Sequence, residues 1–289
     1  MNEVHVLRAG PLTTVQDRGR PGLAQLGVPP SGAADTEALE LGNRIVGNDP
    51  GAAVLEATLL GPKLRFVQPA LVAVTGADAD ATISGRPLER AVPAEVATGD
   101  VLELGRCSDG VRAYVSVRGG FAVAATLGSR SYDVLTGLGP PPLRDGDVLP
   151  VGAEPDRSPA AGPVALRPPP AEATLTVLPG PRDDWFPPEA LAALTDAAWR
   201  VGSGSNRVGI RLEGAPLARL DRGELLSEGL VTGAIQVPPS GLPIILGPDH
   251  PTTGGYPVLA VVVAADLPLA GQLAPGATVR FRLYATIAR

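Results

Sequence analysis

A chain of 289 residues, 44% hydrophobic and 19% charged, is long enough for two globular domains and too apolar to be disordered. The formal net charge of −6 comes from interspersed signs and Lys63 is the only lysine, so no basic face is available for phosphate backbones, and nucleic acid is excluded as a partner. Cys107 is alone, which rules out an internal disulfide. The start lacks a leader-like pattern and no run approaches about 18 apolar residues, so a cytoplasmic protein that does not enter a membrane is expected.

Gly 36 and Pro 32 punctuate short, Val- and Leu-rich segments that often alternate in polarity, the pattern of a many-stranded β protein with tight turns. The first strand is expected at residues 4–6. A helix follows at 36–46, with Asp35 as N-cap, Ala38, Leu41 and Ile45 on one face, and Gly47-Asn48-Asp49-Pro50 as its stop. Strands are then expected at 70–75, 101–104 and 113–117. The proline-rich stretch 156–172 reads as an extended linker between halves at 1–155 and 173–289. Beyond it come a strand at 175–178 and a helix that starts after Pro187-Pro188, with Glu189 in its first turn and Leu191 and Leu194 buried, and ends near Ala198. Further strands are expected at 244–246, 259–265 and 279–284. The halves share faint echoes, such as Val6-Leu7 before Gly10-Pro11 and Val177-Leu178 before Gly180-Pro181, consistent with two copies of one β module. Val28-Pro29-Pro30-Ser31-Gly32 recurs at 237–241, but its spacing does not fit that repeat, so these are read as independent turns.

Much familiar chemistry is absent. Two histidines, His5 and His250, and one cysteine cannot form an ordinary His/Cys zinc site, and Gly202-Ser203-Gly204-Ser205 lacks the spacing of a nucleophile elbow. Lys63 lies in Gly61-Pro62-Lys63-Leu64, which is neither a Walker A loop nor a biotin-attachment hairpin, so no covalent biotin is expected on this chain.

What remains are glycine-punctuated polar segments of the kind that carry sites on loops. Gln16, Asp17, Arg18 and Arg20 place an amide, a carboxylate and two planar guanidiniums within one turn, suited to gripping a carboxylate or phosphate; a solvated turn with local Asp-Arg pairing is the plainer alternative. Ser31 to Asp35 leads into the first helix, whose N-terminal N–H groups offer an anion site, although simple capping explains the same residues. Ser205-Asn206-Arg207-Val208-Gly209 and the loop at Gln236 are further polar loops. Thr252-Thr253-Gly254-Gly255-Tyr256-Pro257 combines hydroxyls, a phenol and a glycine pair that permits close backbone approach, or forms a hairpin-like turn.

Taken in order, these segments resemble the biotin-dependent carboxyltransferase / allophanate hydrolase subunit 2 family. The resemblance is carried by Thr14-Val15-Gln16-Asp17-Arg18-Gly19-Arg20, Gly27 to Asp35, Asn43-Arg44-Ile45-Val46-Gly47-Asn48, Leu55-Glu56-Ala57-Thr58 and Leu127-Gly128-Ser129-Arg130-Ser131. It continues through Ser205 to Gly209, Gly233 to Pro238 and Thr252 to Pro257, nearly end to end. Two departures stand out: Asp249-His250-Pro251 replaces the family's Asp-x-Gln, losing an amide, and Ala34 replaces a methionine. The resemblance implies a mainly β fold of two tandem cyclophilin-like β-barrels, each with one main helix. It implies ATP-dependent cleavage of an amide such as the lactam 5-oxoproline, with ATP and Mg bound in a complex. The expected partners are an allophanate hydrolase subunit 1-like protein, which is the B-type component of 5-oxoprolinase, and the A-type component of that enzyme, the chain being inactive alone. Alternatives are the carboxyltransferase part of a urea carboxylase or allophanate hydrolase system, and a non-catalytic regulator that binds the subunit 1-like protein. On these grounds Asp17, Arg18, Glu56 and Arg207 are expected to be catalytic. Gln16, Arg20, Ser31, Asp35, Asn206, Gln236, Thr253, Gly254, Gly255 and Tyr256 are expected to bind a small-molecule amide substrate.

Overall fold

The computed structural model describes residues 2–160 and 172–285. Their contacts divide them into two compact units, one of residues 2–20 and 31–160, the other of residues 21–30 and 172–285. Most of the linker expected at 156–172 lies outside the described residues. The short excursion 21–30, which carries a single 3-10 turn at Ala24–Leu26, groups with the second unit, a feature that the run of the sequence does not suggest.

Unit 1 contains strands β1 (Asn2–Arg8), β2 (Thr13–Gln16), β3 (Val54–Thr58), β4 (Lys63–Phe66), β5 (Ala70–Gly76), β6 (Thr82–Ile83), β7 (Arg86–Pro87), β8 (Ala94–Val96), β9 (Val101–Glu103), β10 (Arg112–Val117) and β11 (Val148–Val151). They form a six-stranded sheet, β11-β1-β4-β9-β6-β7, and a five-stranded sheet, β2-β3-β10-β5-β8. Alternation sends Val4, Val6, Leu64, Phe66 and Leu102 of the first sheet into one core with Val15, Leu55, Val74, Val115 and Val117 of the second. The other face of the five-stranded sheet is covered by helix α1 (Thr36–Ile45), which begins where Asp35 accepts the Ala38 N–H at 2.9 Å. The buried face of α1 comprises Ala38, Leu39, Gly42, Asn43 and Ile45, while Leu41, expected inside, flanks it. Gly42 sets this orientation. A Cβ there would lie 2.5 Å from Ser116 Oγ and 3.0 Å from Thr75 Oγ1, so the helix seats on the sheet only where it has no side chain.

Unit 2 contains β12 (Glu172–Pro179), α2 (Ala190–Asp196), β13 (Trp199–Val201), β14 (Gly209–Glu213), β15 (Glu228–Gly229), β16 (Ala234–Gln236), β17 (Ile244–Leu246), β18 (Thr253–Gly254), β19 (Val258–Val262), α3 (Leu267–Ala270) and β20 (Thr278–Leu283). Seven strands close a barrel in the order β12-β19-β16-β17-β14-β13-β20, sealed by the parallel pairing of β12 with β20. The expected mainly β fold is therefore present: the second unit is a closed barrel, and the first encloses its core between two sheets. Helix α2 has Glu189 as N-cap and buries Leu194 fully, and the Trp199 indole N–H donates to the Leu194 carbonyl at 3.0 Å, tying the helix end to the barrel. The strand expected at 259–265 stops at Val262, because a 3-10 turn at Ala264–Asp266 diverts the chain and Asp266 Oδ2 takes the Thr176 N–H at 2.6 Å.

Candidate functional site

In unit 1 the residues of the 16–20 turn separate sharply. The Asp17 carboxylate is buried and takes four hydrogen bonds: from the Gly19 N–H at 2.8 Å, the Ser129 and Ser131 hydroxyls at 2.6 Å each, and the Arg130 N–H at 2.6 Å. Arg20 is also buried, and its guanidinium meets neutral acceptors: Ser31 Oγ at 3.0 Å, the Thr126 carbonyl at 3.3 Å and the Ser131 carbonyl. Ser31, held at φ 54°, passes its hydroxyl hydrogen to Asp133 Oδ2 at 2.7 Å. Gln16 donates its amide to the Tyr132 carbonyl at 2.9 Å and to Thr14 Oγ1 at 3.0 Å, and its buried amide oxygen has no donor among the described residues. Arg18 alone of the turn's charges lies in solvent, its guanidinium bonded to Glu40 Oε1 at 2.8 and 3.1 Å.

Glu56 and Asp35 meet through a residue that sequence reasoning does not single out. Thr14, Glu56, Tyr114 and Thr75 lie side by side across β2, β3, β10 and β5, giving the sheet a polar face beneath α1. Tyr114 donates its hydroxyl hydrogen to Glu56 Oε2 at 2.8 Å and accepts the Asp35 N–H at 2.8 Å. Burial, then the neighbouring Glu56 and Asp35 charges, holds the Tyr114 hydroxyl well above its ordinary ionisation range. Arg112 pairs with Glu56 Oε1 at 3.3 Å, both side chains being almost wholly buried. The segment before α1 is bound from below residue by residue: the Ala33 N–H goes to the Asp17 carbonyl, the Ala34 N–H to Glu56 Oε2 and the Asp35 N–H to Tyr114. Of the helix's own first N–H groups, which the sequence offers as an anion site, that of Ala38 is taken by Asp35.

Unit 2 repeats the theme with an ion pair. Arg207 and Asp249 are both buried and bonded in bidentate fashion, Nε to Oδ2 at 2.7 Å and Nη2 to Oδ1 at 2.9 Å. Asn206 beside it is exposed and uses its side-chain oxygen to cap the turn, taking the Val208 N–H at 2.8 Å and the Gly209 N–H at 3.2 Å. Gln236 donates to the Tyr256 carbonyl at 3.1 Å. Thr253 and Tyr256 are exposed, but the glycines between them face protein. A Cβ on Gly254 would lie 2.8 Å from the Leu230 side chain and 3.0 Å from Gln236 Nε2, and one on Gly255 would lie 3.0 Å from the Leu225 carbonyl. The glycine pair thus admits neighbouring chain.

The structure therefore gathers Gln16, Asp17, Arg20 and Ser31 with Ser129, Ser131 and Asp133, joins Asp35 to Glu56 through Tyr114, and sets Gln236 beside residues 254–256. Ser129 and Ser131 could have been found from the Ser-x-Ser spacing within their motif; Tyr114, Arg112 and Asp133 carried no comparable signal. Among the described residues, no group of three or more His, Cys, Asp or Glu side chains could hold a metal ion, and no helix is long and apolar enough to cross a membrane.

The family model for the carboxyltransferase domain, subdomains A and B, matches residues 26–283, and the chain belongs to this family. The C subunit of 5-oxoprolinase from Escherichia coli strain K12 is 38% identical over 280 residues, covering 96% of this chain and 89% of that protein. Urea amidolyase of Lachancea kluyveri is 37% identical over 306 residues, but the chain spans only 16% of its length. The crystal structure of the K. lactis urea amidolyase superposes with a TM-score of 0.90 at 34% identity, covering 98% of this chain and 19% of that one.

Proposed function

We propose that the chain is the C-type component of a heteromeric, ATP-dependent 5-oxoprolinase that activates and opens a cyclic amide. The match to the E. coli 5-oxoprolinase component carries this reading: 38% identity extends over 89% of that protein. Its partners on this reading are an allophanate hydrolase subunit 1-like protein, the B-type component, and the A-type component.

The side-chain geometry supports a division of roles. Asp17, Glu56, Arg20 and Arg207 already hold close, buried partners, so they position backbone and act on substrate indirectly. Arg18 is solvent-exposed and held only by Glu40, an exchange that costs little, so it is the guanidinium best placed to grip a carboxylate. The amide oxygen of Gln16 is an acceptor in reserve. For Mg-ATP the fit is poor. The one lysine is on β4 against Glu103 at 3.1 Å, and no acidic cluster stands ready for the metal among the described residues. Phosphoryl chemistry is accordingly assigned to the partner proteins.

The test is reconstitution. Glutamate and ADP should form from 5-oxoproline when this chain is combined with B- and A-type partners, and not with the chain alone. Turnover by the isolated chain, or separate elution of chain and B-type partner on size exclusion at micromolar concentration, would sink the reading. A second reading is favoured by the close superposition on urea amidolyase: a carboxyltransferase component served by a biotinyl domain on another chain. It requires bicarbonate-dependent ADP formation that urea stimulates and avidin blocks.

A further inference from the structure

Between β14 and β15 the chain makes a long excursion with no helix or strand, residues 214–227. Most of it is exposed. Leu217 is buried at its start and Leu230 just past its end, whereas Leu220 is 40% and Leu226 88% exposed, so almost no apolar burial holds the middle down. What holds it is polar and peripheral: the Leu220 N–H donates to the Trp185 carbonyl at 3.0 Å and Arg222 pairs with Asp184 at 2.9 Å, while Glu228, just past it on β15, pairs with Arg182 at 2.6 Å. Its C-terminal end is firmer, since Glu228–Gly229 pairs with Thr253–Gly254 and the Leu230 N–H donates to the Thr252 carbonyl at 3.0 Å. The Leu225 carbonyl, on the loose part, rests directly over Gly255.

We infer that residues 218–227 form a strap, hinged at Leu217 and at the β15–β18 ladder, that lifts to uncover the backbone at Gly255. The inference concerns unit 2 alone and does not depend on which amide the protein acts on. Its energetics follow from the fastenings. One exposed ion pair, Arg222 with Asp184, holds the strap, weak and weakened further by salt, so opening is easy and salt-dependent, while the hinge ladder, tied also by the half-buried Arg182–Glu228 pair, stays closed.

Trypsin reads the opening directly, because Arg219 and Arg222 lie on the strap. With the whole chain, and a disordered peptide as control for the protease, cutting after Arg219 and Arg222 should precede any cut in the barrel and accelerate roughly two- to five-fold between low and high salt. The variant Asp184→Asn keeps both cutting sites and should be cut at the fast rate in either salt. Gly255→Ala should do the same by another route, its new methyl pressing on the Leu225 carbonyl. In both variants amide exchange at Gly255 should rise with cutting, while the Leu230 amide stays protected. Strap cutting that only accompanies global unfolding, or that accelerates without faster exchange at Gly255, would overturn the inference.

Discussion

The 16–20 turn of unit 1 and the Arg207 site of unit 2 bury charge in opposite ways. In unit 1 the Asp17 carboxylate is met by four neutral donors, and Arg20 by hydroxyl and carbonyl oxygens, so neither charge depends on a single partner. In unit 2 Arg207 and Asp249 each rest on the other through two bonds in a fully buried pair. Dispersed contacts degrade one at a time. A bidentate pair concentrates two short charged contacts on one partner, so one substitution removes both. The same guanidinium fork thus serves as one part of a network of neutral contacts in one unit and in a bidentate ion pair in the other.

The largest effect should come from breaking this pair. Asp249→Asn should destabilise unit 2 by about 3 to 5 kcal/mol, the range for removing one charge of a buried ion pair. Trp185 and Trp199 are the chain's two tryptophans and both lie in unit 2, so intrinsic fluorescence during urea unfolding isolates that unit. A shift no larger than that of a surface substitution would show that Arg207 finds other support. Asp17→Asn should cost about 2 kcal/mol, because an amide nitrogen placed against the Arg130 N–H opposes two donors while other bonds survive. That loss should appear as faster amide exchange around Arg130 with the tryptophan signal unmoved. Tyr114→Phe removes the hydroxyl that accepts the Asp35 N–H and donates to Glu56, for about 1 to 2 kcal/mol by the same measurement.

Alkaline pH should separate the units as well. Burial pushes the Cys107 thiol from 9.0 up to about 11 and raises the Tyr114 hydroxyl well above 10.0, and both groups lie in unit 1. Below the ordinary values, folded and unfolded chains both hold these protons. Above them only the folded chain does, so stability falls as pH rises from about 9. Amide exchange in unit 1 should therefore accelerate through pH 9 to 11 before the tryptophan transition moves. Smallest in stability is Arg18→Ala, expected within about 0.5 kcal/mol because its pair with Glu40 is exposed. If Arg18 grips substrate as proposed, the same variant should lose most reconstituted turnover, and normal turnover would return it to the role of a surface charge.

These contrasts show how far the sequence can be read. Asp35 as N-cap, α1 and most of the Val-rich strands were legible because capping and alternation are local signals. Arg18 and Arg20 were not separable: two residues apart and identical in kind, they differ only because the chain turns at Gly19 and sends one guanidinium to solvent and the other inward. The partners of Asp17 lie 112 and 114 residues away, and that of Arg207 lies 42 away, distances at which no periodicity speaks. The Gly254-Gly255 pair was legible as a place of close approach, but composition does not say whether ligand or chain approaches, and here it is the chain.

The parallel seam between β12 and β20 imposes an order on biosynthesis. Because the barrel's first strand pairs with its last, it cannot close until β20 has been made, whereas every strand of unit 1 is complete before β12 is translated. Residues 21–30 belong to the barrel's unit yet are synthesised ahead of nearly all of unit 1. They therefore wait through most of translation for the contacts that group them with it.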